Sequence, residues 1–164
     1  MVLFSSDDLN SLNKIYRINL VNSITGYKSA NLLGTVSEKG IENVAIFSSI
    51  THLGSNPALL SFFVRPNVVP RNTYKNIKRN KVFTVNHISK EKIEDAHHSS
   101  AKYEEDISEF DKTNLEPEYK KNWQAPFVKG SSVQLGCKFV NEYPIKENGC
   151  YLIIASIELI FIEK

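Results

Sequence analysis

Arg71, Asn72 and Thr73 stand together in VRPNVVPRNTYKNI, residues 64–77, where a run of helical spacing begins. A helix start is already electropositive, so an added cation is unfavourable there unless an anion sits nearby. A guanidinium, an amide and a hydroxyl at that point therefore suit an anion. Arg65 is a second cation just upstream. By residue type alone Asn72 also reads as a plain N-cap beside a solvated arginine. A second polar cluster lies in NVAIFSSITHLGSNP, residues 43–57, where a strand-like run ends in Ser48, Ser49, Thr51 and His52. Their hydroxyls and the loose backbone amides suit a polar ring edge or a sugar chain. They equally suit an ordinary strand end in water. Both clusters follow a strand, so they face one cleft if those strands share a barrel.

Other chemistries lack their residues. There is no G-x-G-x-x-G and no G-x-x-x-x-G-K-[ST], so any dinucleotide binds outside a Rossmann crevice. His97 and His98 are adjacent and diverge on a helix, unlike a chelating i, i+4 pair. Glu94 and His97 form a single Glu-x-x-His, whereas a di-iron site needs two copies and further glutamates. No metal site is expected, and no Ser-His-Asp or Cys-His triad follows from spacing. Cys137 and Cys150 lie in apolar, strand-like segments and read as buried free thiols.

The elements that would carry these residues are mostly strands. The sequence predicts strands over 29–37 and 43–50, joined by a glycine-bearing hairpin, then 59–65 after the turn cluster GSNPA, and 81–88. SVQLGCKFVNEY and YLIIASIELIFI form a late pair joined through PIKENG. Helices are expected over 72–80, 89–101 and 116–123. This order is mainly β with short helices and points to a closed or half-open antiparallel barrel. The length, 164 residues, suits one domain over 1–164. Twenty basic residues against 18 acidic ones give a net charge of +2, too little for a protein that coats nucleic acid. No run reaches the roughly 20 apolar residues of a membrane span. The N-terminus lacks the basic and apolar regions of a signal peptide, so a cytoplasmic protein is expected.

NSITGYKSANLLGT, NVAIFSSITHLGSNPALLSFFVRP, PRNTYKNI, FTVN, AHHSSAKYEEDISEFD, APFVKGSSVQLGCKF and CYLIIASIEL occur in this order. Together they resemble the flavin reductase-like family, which has the FMN-binding split-barrel fold and includes flavoredoxin-type proteins. The resemblance runs from about Tyr16 onward. Gly136 stands where relatives often have glutamate and Ala155 where glycine is common. The sequence stops at Lys164, right after a strand, where relatives usually continue; a missing tail would take part of a dimer contact with it.

The resemblance implies FMN as cofactor. It places the flavin phosphate at Arg71 and Thr73, with Asn72 between them. It lays the isoalloxazine and ribityl chain along Asn43, Ala45, Ser48 and Ser49, followed by Ile50 and Thr51. Asn86 is a further candidate beside the flavin, and Ser100, Ala101 and Lys102 approach the cofactor. His52, His97 and Tyr103 fall on the substrate side. The implied activity is hydride transfer from NAD(P)H to flavin N5, then electron transfer to a flavin, a ferric complex or a protein acceptor. Positioning supplies most of that catalysis, so no side-chain acid or base is required. A homodimer with the cofactor near its interface is expected. An FMN-binding electron carrier or sensor with little NAD(P)H activity remains the alternative, and a split-barrel module without flavin is a third reading.

Overall fold

The computed structural model describes residues 1–66, 68 and 71–164. Pro70, which opens the PRNTYKNI stretch, lies outside the described residues. In chain order the elements are α1 (Ser6–Ser11), α2 (Lys14–Ser23), β1 (Asn31–Val36), β2 (Glu42–Phe47), β3 (Thr51–Ser55), β4 (Ala58–Val64), α3 (Asn72–Asn80), β5 (Val82–His87), α4 (Ile93–His98), β6 (Pro117–Glu118), β7 (Phe127–Val128), β8 (Val133–Pro144) and β9 (Tyr151–Ile162). Seven strands form one antiparallel sheet in the order β2-β1-β5-β8-β9-β4-β3. β2 pairs with β1, and β3 pairs with β4. β2 and β3 are one piece of chain bent at residues 48–50, so the two ends of the sheet meet and a barrel closes. The closure is made by a side chain. Ser49 would lie opposite Phe63 if the β3–β4 register continued; its hydroxyl accepts from the Phe63 N–H (3.1 Å) and donates to the Phe63 carbonyl (3.4 Å).

Strand alternation sorts the two sides of the wall. Leu33, Leu60, Phe62, Val64, Phe83, Val85, Cys137, Ile153 and Ala155 point inward and form the core, with Ile77 of α3 added. Leu32 and Val44 point outward, yet they are buried as well. The excursion between β5 and β8 covers them with Ala96, Phe110, Leu115 and Val128. The approach is close at Gly34, where a Cβ would fall 2.0 Å from the Pro126 carbonyl oxygen.

α3 lies against the barrel at the β1–β2 hairpin end. Thr73, Asn76 and Ile77 face inward, and Lys78 and Arg79 occupy the last turn, where cations suit the helix dipole. The helix ends at Lys81 in the left-handed conformation, φ 62°, with its N–H on the Ile77 carbonyl. The far end of the β8–β9 hairpin braces it: Glu142 receives the Tyr74 hydroxyl and the Lys78 ammonium, and Tyr74 stacks on Tyr151 at 5.4 Å.

Several expectations need correction. The N-cap of α3 is Arg71, not Asn72, and no side chain caps it. The helix expected over 89–101 is a 3-10 turn, Lys90–Lys92, followed by the short α4. No helix forms over 116–123. Lys121 and Asn122 take positive φ values of 52° and 56°, which a right-handed helix cannot hold, and β6 pairs with β7 instead. β3 occupies residues expected to be a strand end and a turn; they are mostly exposed, so the segment lacks the apolar alternation that marks a strand. α1 and α2 add a segment in which no helical residue is buried.

Candidate functional site

Among the described residues the start of α3 presents donors that no N-cap side chain takes. Backbone N–H groups in a helix's first turn have no partner inside the helix. Here the N-cap supplies no side chain to take them. Arg71 is half-buried and forms no ion pair among the described residues. Its Nε is enclosed and has no hydrogen-bond partner, the one buried side-chain polar atom so recorded among the described residues. A buried donor without an acceptor is rare and marks a place for a missing group. The donor set, a guanidinium beside free helix N–H groups, fits a phosphate.

Thr73 and Asn43 turn their side chains inward. Both are buried, and they meet each other: the Thr73 hydroxyl donates to Asn43 Oδ1 at 3.0 Å. Thr35 donates to the same oxygen at 3.1 Å, and Asn43 Nδ2 donates to Glu109 at 2.6 Å. A buried amide needs its partners, and it takes them from α3, β1 and the loop before Phe110. Thr73 therefore offers the anion site its backbone N–H, while its hydroxyl proton is used inside. Asn72 stands beside them, half-buried, in a small crevice with Ser37, Glu42 and Glu105.

β2 links this end to the other cluster. From Asn43 to Ser48 the chain advances five residues, about 16 Å of strand. Ala45 is half-buried on the way, opposite Leu33. Ser48, Thr51 and His52 are exposed at the bend, whereas Ser49 closes the seam and Ile50 packs on the core. His52 Nε2 lies 3.1 Å from Ser55 Oγ. Leu53 on β3 and Phe63 on the neighbouring β4, each 49% exposed, supply an apolar surface beside the bend.

Asn86 is enclosed by the protein's own groups. It is 0% exposed; its Nδ2 donates to the Leu32 carbonyl and Thr84 Oγ1, and its Oδ1 accepts from the Val128 N–H. It braces the excursion against the barrel wall. Ser100, Ala101 and Lys102 are exposed just after α4, with Ser100 Oγ on the His97 carbonyl at 2.7 Å. His97 is exposed, and the Tyr103 hydroxyl lies 3.0 Å from His98 Nε2. The loop is tied to α3 by the Glu105–Lys75 ion pair and to β2 by Glu109. Lys102 therefore lies within about 10 Å of chain from that α3 contact.

Sequence reading missed Glu109, Thr35 and Asn76. One signal was present: Thr73, Asn76, Ile77 and Asn80 share a helix face, and polar residues on a buried face demand polar partners. Burial pushes the Glu109 carboxyl above its ordinary range, countered in part by the N–H groups it accepts. Burial pushes the Cys137 thiol up well beyond the reactive range, which leaves it inert. Cys150 is half-buried and free. Among the described residues no three His, Cys, Asp or Glu side chains gather as metal ligands, and no helix is long and apolar enough to cross a membrane.

Comparison with known proteins gives this geometry its context. Residues 25–162 match the family described as flavin reductase like domain. An uncharacterised protein of Aquifex aeolicus (strain VF5) is 31% identical over 115 residues, 69% of this chain and 59% of that protein. The uncharacterised protein YwrF of Bacillus subtilis (strain 168) is 32% identical over 140 residues, 84% of this chain and 66% of that one. The chain thus spans about three-fifths to two-thirds of the length of these curated relatives. A crystal structure from Shewanella frigidimarina NCIMB 400, described as a candidate flavin reductase with a split barrel domain, superposes with TM-score 0.96 at 38% identity, covering 100% of this chain and 81% of that one. The flavoredoxin of Desulfovibrio vulgaris (Miyazaki F) shares the fold, with TM-score 0.73 at 18% identity, covering 85% of this chain and 72% of that one.

Proposed function

The chain belongs to the flavin reductase-like family, and from that premise we propose that it is an FMN-binding oxidoreductase that uses NAD(P)H. The family implies a flavin; Arg71 Nε, unpartnered among the described residues at the uncapped start of α3, supports one that carries a phosphate, and we take it to be FMN. When bound, the flavin would supply the redox chemistry for hydride acceptance from NAD(P)H and electron delivery to a flavin, a ferric complex or a protein acceptor. Arg71 and the N–H groups of Asn72 and Thr73 hold the phosphate. The exposed edge of β2 and β3, at Ser48 and Thr51, orients the ring through hydroxyls and backbone groups, and Phe63 shields it from water. Lys102, on the loop that Glu105 and Glu109 anchor, would help hold the cofactor. His52, His97 and Tyr103 border the side from which the nicotinamide enters.

Residues 1–164 act as one domain, and a second copy covers the apolar surface that the monomer leaves open. Leu53 and Phe63 on the barrel, Ile15 and Ile18 on α2 and Ile24 at its C-cap are exposed and support that homodimer. Anaerobic mixing of the FMN-loaded protein with NADH and NADPH tests the activity. Rapid loss of the yellow absorbance with either nucleotide supports it. Slow bleaching with both refutes it and assigns the protein instead to electron carriage or sensing.

A further inference from the structure

We propose that Glu109 is a positioning residue for the phosphate-binding start of α3, acting through Asn43 and Thr73. This rests on the FMN reading above. Glu109 is 7% exposed and has no cation partner among the described residues. Keeping an unpaired carboxyl there is unfavourable, so a plain structural filler would not be acidic. Its Oε2 faces the Val44 N–H at 3.2 Å and acts there as an acceptor. The same oxygen receives Asn43 Nδ2 at 2.6 Å. That fixes the orientation of the Asn43 amide, because the end facing Glu109 must be the donor end. The carbonyl end then faces Thr35 and Thr73 and accepts from both. Asn76 donates to Thr35 Oγ1 at 3.1 Å, which directs the single Thr35 proton toward Asn43. Thr73 and Asn76 both belong to α3. The helix start is therefore pinned to β1 and β2 at two points, and the sense of every bond is set by Glu109. Those pins place the first-turn N–H groups and Arg71.

The test compares FMN with riboflavin, which lacks the phosphate. Glu109→Ala should lower the ratio of FMN to riboflavin affinity by about three- to tenfold, as expected for misplaced hydrogen-bond donors. Glu109→Gln offers an amide oxygen to the same two donors and should keep that ratio within about twofold. Thermal melts confirm that each variant is folded. If Glu109→Ala melts earlier but keeps the ratio, Glu109 only supports the fold and the proposal fails. A second measurement needs no variant. Coupling between sites is reciprocal, so FMN should slow hydrogen exchange at the Val44 N–H more than riboflavin does at equal saturation. Equal protection by the two flavins overturns the proposal. A failure of the FMN reading looks different: the wild-type protein would not distinguish the two flavins, or Arg71→Ala would leave the distinction intact.

Discussion

Replacing Arg71 by alanine isolates the phosphate contact. Among the described residues Arg71 Nε has no hydrogen-bond partner, so without FMN its removal deletes no recognised bond at that atom. The melting temperature of the free protein should therefore hold or rise. In the FMN-loaded protein the same change deletes a charge-assisted hydrogen bond from a half-buried guanidinium. Such a bond contributes about 1.5–3 kcal/mol, which corresponds to a roughly ten- to hundredfold weaker Kd. Riboflavin affinity should change by less than about twofold, because no charge-assisted bond to phosphate is lost. Arg71→Lys should fall between, since an ammonium keeps the charge but not the planar fork. Flavin fluorescence quenching measures all six affinities. An equal loss for both flavins would mean general damage near α3. Unchanged affinities would return the anion question to Arg65.

Asn86→Ala should destabilise the fold by about 1–3 kcal/mol, because the Val128 N–H loses its acceptor, while FMN affinity stays the same; urea unfolding and flavin titration check the two halves. Gly34→Ala should lower the denaturation midpoint by an amount equal to about 1–3 kcal/mol, since the new Cβ meets the Pro126 backbone. Because burial raises the Glu109 pKa in the fold above its unfolded value, its contribution is fully present below the unfolded pKa and is lost as pH rises through the folded pKa. Stability should therefore fall as pH rises above the ordinary glutamate range, and Glu109→Gln should flatten that slope in pH-dependent melts. Light scattering should report a dimer for the FMN-loaded protein, and a stable flavin-loaded monomer would refute the expected interface.

The strands were legible because their inner faces alternate. Leu60, Phe62 and Val64, or Phe83 and Val85, announce a barrel wall by spacing alone. β3 was not legible, because a bent, exposed strand is held by backbone bonds to β4 that leave no apolar trace. The late helix at 116–123 failed for the opposite reason: its charges looked helical, but Lys121 and Asn122 turn the chain the other way. At the candidate site, the position of Arg71 at the start of a helix was legible. The hydrogen-bond partners of Asn43, Thr73 and Asn86 were not legible, because sequence gives residue type and order but not the direction a polar side chain takes. Each is turned inward by a partner far along the chain: Glu109 and Thr35 meet Asn43, Asn43 meets Thr73, and Val128 meets Asn86.

A crystal structure of the FMN-loaded protein tests the central claim most directly. The account predicts one phosphate at the start of α3, within hydrogen-bond distance of Arg71 Nε and of at least one N–H among residues 72–74, with the ring toward the bend at residues 48–50. A phosphate seated elsewhere, with Arg71 Nε still unpartnered, would contradict it.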